Sequence, residues 1–222
     1  MHWEDIRDEV CAAYIEIASN ELFTRDEVYL KEAFYGIEKL WDSNFQRITE
    51  VRFVLFSEAP LWQDKMNYFY YPTARLTQFI YKNDFAIPLR REILDKEELL
   101  NVMGDIGFVV LDCSPLALAE GFTSITYNSL SSKQYSMLMK RMIQTFLKLK
   151  LQTVLEKAYQ PPKFLFRYKR VQEALELHIH QLLSSMNYQD SNFECIGQQG
   201  GGIDRAKLTS ILIKLACPSP YK

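Results

Sequence analysis

Apolar positions in this chain change their period along its length, and the changes divide it into elements. Trp3, Ile6, Val10, Tyr14 and Ile17 recur at spacings of three and four, which predicts a helix with one buried stripe. A second helix is expected from Asp26 to about Leu40, with Thr24 as its N-cap and Glu27 completing a capping box. The period then collapses. Val51 to Phe56 is a short run of β-branched and aromatic residues that stops at Ser57-Glu58-Ala59-Pro60, the pattern of a buried strand ending in a loop.

Further along, Pro72-Thr73 is expected to open a helix through Lys82, followed by a connection that contains Pro88. Asp95 is read as the cap of another helix, ended by Gly104 or Gly107. Phe108 to Leu111 is the second strand, and it ends at Asp112-Cys113-Ser114-Pro115. A long helical stretch, broken once, runs from Ser131 or Ser132 to about Tyr159, where Pro161-Pro162 stops it. Lys163 to Arg167 is the third strand and Val171 to Met186 the helix after it. Phe193 to Ile196 is a short fourth strand, and a last helix runs from Asp204 to Ala216.

Two helices followed by four strand–helix units imply right-handed crossovers and a mostly parallel sheet covered on both faces. The expected architecture is a three-layer α/β/α sandwich around a central four-stranded sheet. A single domain, 1–222, is expected, with the helices of residues 1–45 packed on the sheet. In such sheets ligands bind at the carboxyl ends of the strands. Chemistry is therefore sought in segments 57–72, 112–122 and 197–204.

Composition narrows the classes. The 222 residues are 48% hydrophobic and 24% charged, so the chain has enough apolar surface for a full core and is not disordered. Its 14 Phe and 13 Tyr predict a bulky core, with some rings free to serve a pocket. The net charge of −2 provides no global basic field, so a nucleic-acid partner would need a local basic face. Four cysteines, at 11, 113, 195 and 217, lack metal-ligand spacing and read as reduced thiols; no metal or cofactor is expected. The charged amphipathic start is unlike a signal peptide, and no run is long and apolar enough for a membrane, so a soluble cytoplasmic protein is expected.

Glu58 leaves the first strand beside the dense aromatic segment Asn67 to Pro72. Partial burial raises a carboxyl pKa towards the useful range for a base, and flat rings offer a stacking face to a planar ligand. The alternative is a turn-capping Glu58 with rings that only fill the core. Backbone N–H groups of the turn Gly197, Gln198, Gln199, Gly200, Gly201 and Gly202 suit a phosphate, although the spacing fits neither nucleotide-binding fingerprint and a plain loop is the alternative. Lys163, Arg167, Lys169 and Arg170, and Lys140, Arg141, Lys148 and Lys150, are read as solvated faces or phosphate tracks. His178 and His180 point to different faces of one helix, which does not suit a shared metal.

Residues 54–60, Val-Leu-Phe-Ser-Glu-Ala-Pro, resemble the first motif of the uracil-DNA glycosylase superfamily, in the branch with Gly-Glu-Ala-Pro-Gly. Leu111-Asp112-Cys113-Ser114-Pro115 is similar in place to a family segment bearing Asn and then Cys-Arg-Pro. The order of elements is that of the family's four-stranded parallel sheet. The resemblance implies hydrolysis of the N-glycosidic bond of a damaged or deaminated base, flipped out of DNA, through an oxocarbenium-like state. Carried over by position, Glu58 would orient or activate water, and Asp112 would contact the base edge or position that water. Ser57, Ala59, Pro60, Phe69, Tyr70 and Ser114 would line the base site, with Phe69 or Tyr70 stacking on the ring. The 197–202 turn would meet DNA phosphate.

The chain also departs from that pattern. Ser57 and Leu61 replace the two glycines of the loop, the closing His-Pro-Ser motif is absent, and so are the iron–sulfur ligands of this branch. These departures motivate an alternative: a catalytically inactive protein of the same fold that binds a nucleobase, nucleotide or nucleic acid. A different α/β fold with a small-molecule site is the third reading.

Overall fold

The structure, a computed structural model, describes residues 1–63, 67–75, 79–188, 193–198 and 202–216. After a short 3-10 turn at Trp3–Asp5 come α1 (Arg7–Ile17) and α2 (Asn20–Phe45), then β1 (Phe53–Ser57), α3 (Asn83–Leu89), α4 (Lys96–Asp105) and β2 (Phe108–Asp112). The second half contains α5 (Ser132–Met142) and α6 (Lys148–Leu155), joined by a π-turn at Ile143–Leu147. It continues with β3 (Lys163–Phe166), α7 (Lys169–Ser185), β4 (Phe193–Cys195) and α8 (Arg205–Ala216).

All four strands are parallel, in the order β2-β1-β3-β4, and helices flank the sheet as a three-layer α/β/α sandwich. β1 and β2 are buried at every residue, as strands covered on both faces must be. Phe56, Phe164, Phe166 and Phe193 form one aromatic cluster across β1, β3 and β4. α1 packs on α2 and α5, α5 on α7, and α3 on α8.

Several local expectations change for identifiable reasons. α2 begins at Asn20, because Ser19 caps it by accepting from the Leu22 N–H at 3.2 Å. Thr24, expected as the cap, lies inside the helix and turns its hydroxyl back to the Asn20 carbonyl at 3.0 Å. The described parts of 72–82 are turns, and the helix begins one residue later. Pro88 sits inside that short helix, near its end, where Arg90 adopts left-handed φ of 50°. The break expected in the long helix is the π-turn. Asp95 caps α4 as expected, accepting from Glu98 N–H at 2.8 Å.

β2 lies at an edge of the sheet, where a strand leaves N–H and C=O groups without a ladder partner. The buried Tyr70 hydroxyl fills that place. It accepts from the Val110 N–H at 2.7 Å and donates to the Val110 carbonyl at 3.2 Å; the Trp41 indole of α2 reaches the same carbonyl at 3.1 Å. The loop after β1 is pinned to α2 in turn. The Tyr29 hydroxyl donates to the Trp62 carbonyl, and the Trp62 ring lies so close over Gly36 that a Cβ there would strike it. The aromatic density of 67–71 thus serves partly to seal an edge.

Candidate functional site

β1 and β2 remain coupled beyond their ends. Ser57 and Asp112 are register partners, Cys113 N–H donates to Ser57 O at 3.1 Å, and Ser114 N–H donates to Glu58 O at 3.1 Å. This continued ladder fixes the two loops side by side, so Ser57 Oγ–H can donate straight to the Asp112 carboxylate. Asp112 is only 7% exposed. Burial pushes its pKa up to about 6, while the Ser57 and Tyr68 hydroxyls and the more distant Lys150 ammonium hold it down.

Asp112 stands on the wall of a narrow slot of about 40 Å³ that also touches Ser57, Ala59, Pro60, Phe69 and Lys96. The slot opens at the carboxyl ends of β1 and β2, the side of a parallel sheet where ligands bind. Its buried charged groups are one acid, Asp112, and one amine, Lys96; Ser57, Asn67, Tyr68 and the exposed Arg75 also line it. Lys96 holds its ammonium 3.6 Å from the centroid of the Phe69 ring, and burial alone lowers its pKa to about 7. A second small crevice lies on the other side of Asp112, lined by Tyr68, Ser114, Glu38 and Lys150. There Lys150 Nζ lies 2.8 Å from Glu38, and both side chains are buried.

Glu58, one residue beyond Ser57, turns away from the slot. Its carboxylate lies beside the Tyr135 hydroxyl, which makes no hydrogen bond of ordinary geometry, and 3.9 Å from Arg170. Arg170 stacks over the Tyr135 ring at 3.6 Å and donates to the Tyr127 carbonyl at 2.9 Å. Burial raises the Glu58 pKa, and Tyr135 and Arg170 oppose that rise. The two carboxylates expected to share a site therefore face different surroundings.

The remaining expected residues divide in the same way. Ser57, Ala59, Pro60 and Phe69 meet Asp112 on the slot. Tyr70 does not line it, because its hydroxyl is spent on the β2 edge. Ser114 is fully buried and accepts from Tyr127 at 2.7 Å. In the glycine-rich turn, Gly197 pairs with Ile203, and the Gln198 N–H, a donor that a phosphate would need, goes to Gly202 O at 2.9 Å. A Cβ at Gly197 would collide with the Arg167 carbonyl, so close packing on β3 accounts for this glycine. Gln199, Gly200 and Gly201 lie outside the described residues.

The basic clusters are open only in part: Lys140 and Lys169 are exposed as expected, while other members are drawn inward. Arg167 is buried and donates to Phe79 O and Gly202 O at 3.2 Å, Lys150 is buried against Glu38, and Arg141 is held by Glu9 and Glu16. Lys96 is the slot residue that sequence reasoning passed over. In Asp95-Lys96-Glu97-Glu98 it looks like one charge in a solvated first helical turn; the available signal is a cation placed at a helix N-terminus, where the helix dipole disfavours it.

Among the described residues no three or more His, Cys, Asp or Glu side chains are grouped to hold a metal ion, and no helix is long and apolar enough to cross a membrane. No protein-family model, curated protein or solved structure matches this chain.

Proposed function

We propose that the chain recognises a planar, nucleobase-like ring in the slot after β1 and β2. The observation that supports this reading is the convergence of Asp112, locked under Ser57, and the Phe69 ring on one narrow cavity. An acid with a pKa of about 6 exists in both forms near neutrality, so Asp112 can donate to or accept from the edge of a heterocycle. Phe69 supplies an apolar ring that stacks with any base, an interaction of about 1–3 kcal/mol. The loops that carry these groups are those whose sequence resembles the uracil-DNA glycosylase superfamily.

A thermal-shift series with uracil, hypoxanthine, xanthine and adenine tests the reading. A ring bound only by the folded state raises the melting temperature by mass action. The expected result is stabilisation of the wild type that is reduced in Phe69→Ala and Asp112→Ala. A flat response across the series removes the reading.

Base excision is a second reading, favoured by the position of Glu58 between Ser57 and Ala59, both of which touch the slot. In this reading the Glu58 carboxylate, whose pKa burial raises, turns from Tyr135 and Arg170 towards the slot to meet water while the base is bound. Oligonucleotides containing uracil, hypoxanthine or xanthine should then yield abasic product, more slowly with Glu58→Gln. Base binding without abasic product would leave a recognition protein.

A further inference from the structure

Lys96 is the most anomalous charge among the described residues. Its side chain is 5% exposed, it occupies the first position of α4, and its ammonium sits against the Phe69 ring on the wall of the slot. A buried cation is ordinarily paired with a carboxylate, because desolvation is otherwise uncompensated. Among the described residues no hydrogen bond or ion pair reaches this amine. The acids nearest in sequence are committed elsewhere. Asp95 accepts from Glu98 N–H at 2.8 Å, Glu98 accepts from Leu94 N–H at 2.7 Å, and Glu97 lies 3.7 Å from Arg47.

An amine that is buried, open to a cavity and compensated only by the face of the Phe69 ring is costly to keep for structure alone, since a methionine would fill the same space without a charge. A desolvated lysine against an apolar surface is how a protein makes an amine nucleophilic. We propose that Lys96 is a carbonyl-reactive amine that captures a small aldehyde entering the slot as a Schiff base. The Nζ lone pair attacks the carbonyl carbon to form a carbinolamine. The carbonyl oxygen then leaves as water with the two hydrogens of the neutral amine, and a C=N bond remains. No oxidant or further reactant is needed.

Its lowered pKa, about 7, leaves a substantial neutral fraction near neutral pH, where an ordinary lysine is almost wholly protonated. The other ionisable groups on the slot are Asp112, Tyr68 and Arg75. The inference shares the cavity and the Phe69 ring with the base reading.

The test is reductive trapping on the full chain. Glyceraldehyde and sodium cyanoborohydride are added near neutral pH, and early adducts are located by peptide mass mapping. Lys96 should be modified about tenfold or more faster than the exposed Lys133 and Lys169. Labelling of Lys96 at or below the rate of those lysines overturns the proposal, and because wild type is mapped the result does not depend on a variant folding. In Lys96→Arg the fast adduct should disappear while Lys133 labelling is unchanged; a fast adduct that persists elsewhere also overturns it. Excess hypoxanthine separates the two proposals. Fast labelling of Lys96 that the base does not slow supports the amine and counts against a base in the slot. Base binding without fast labelling does the reverse.

Discussion

The carboxyl ends of β1 and β2 and those of β3 and β4 belong to one sheet, yet they end in opposite states. At β3 and β4 the chain seals itself. Arg167 ties Phe79 O to Gly202 O, Gly197 pairs with Ile203, Asp204 N–H returns to Ile196 O at 2.7 Å, and Asp204 caps the turn of α8 through Lys207 N–H at 3.0 Å. At β1 and β2 an acid and an amine share a cavity without pairing with each other. Both regions are rich in polar residues. What separates them is satisfaction: one set of donors and acceptors is consumed internally, and the other has capacity left for a guest.

The largest effect should come from opening the sealed end. Arg167→Met removes the charged donor shared by Phe79 O and Gly202 O, leaving Gly202 O only the Gln198 N–H, and should cost about 3 kcal/mol in denaturant unfolding. Amide exchange of Ile196–Gln198 should accelerate in the same variant. An unchanged midpoint would mean that the seal is not held by Arg167.

Next is the open end. Asp112 has a folded pKa of about 6 against an ordinary value of 3.8, so its ionisation disfavours the fold. The stability linked to it is full below pH 3.8 and is lost as pH rises through about 6. Asp112→Asn keeps the shape and removes the titration. The variant should gain on wild type by about 2–3 kcal/mol between pH 4 and pH 7. A constant difference across that window would place the acid in water.

A smaller effect distinguishes the rings of the same aromatic segment. Tyr70→Phe removes the hydroxyl that serves the Val110 N–H and should cost about 1–2 kcal/mol of stability with little change in ring binding. Phe69→Ala should do the opposite, weakening binding more than folding, because Phe69 is only partly buried. Equal effects on both properties in both variants would erase the division between edge seal and slot.

Much of the fold is legible in the sequence, because buried parallel strands are short apolar runs and their ends carry turn residues. β1, β2 and β3 lie within two residues of their expected bounds for that reason. The errors are local contests. Ser19 outcompetes Thr24 as a cap, and Pro88 is tolerated near the end of a short helix. For the site, the pairing of Ser57 with Asp112 follows from two adjacent parallel strands ending together. The direction of Glu58 does not, since it depends on Tyr135 and Arg170 from α5 and α7. Lys96 was hidden by charged neighbours that in three dimensions bind other groups.

The central claim is that the slot takes a flat ring against Phe69. Isothermal titration of the full chain with hypoxanthine, in parallel with Phe69→Ala, measures it most directly. The account predicts saturable one-site binding that weakens by about tenfold or more when the ring is removed. Affinity unaffected by Phe69→Ala, or no binding by a folded wild type, would contradict it.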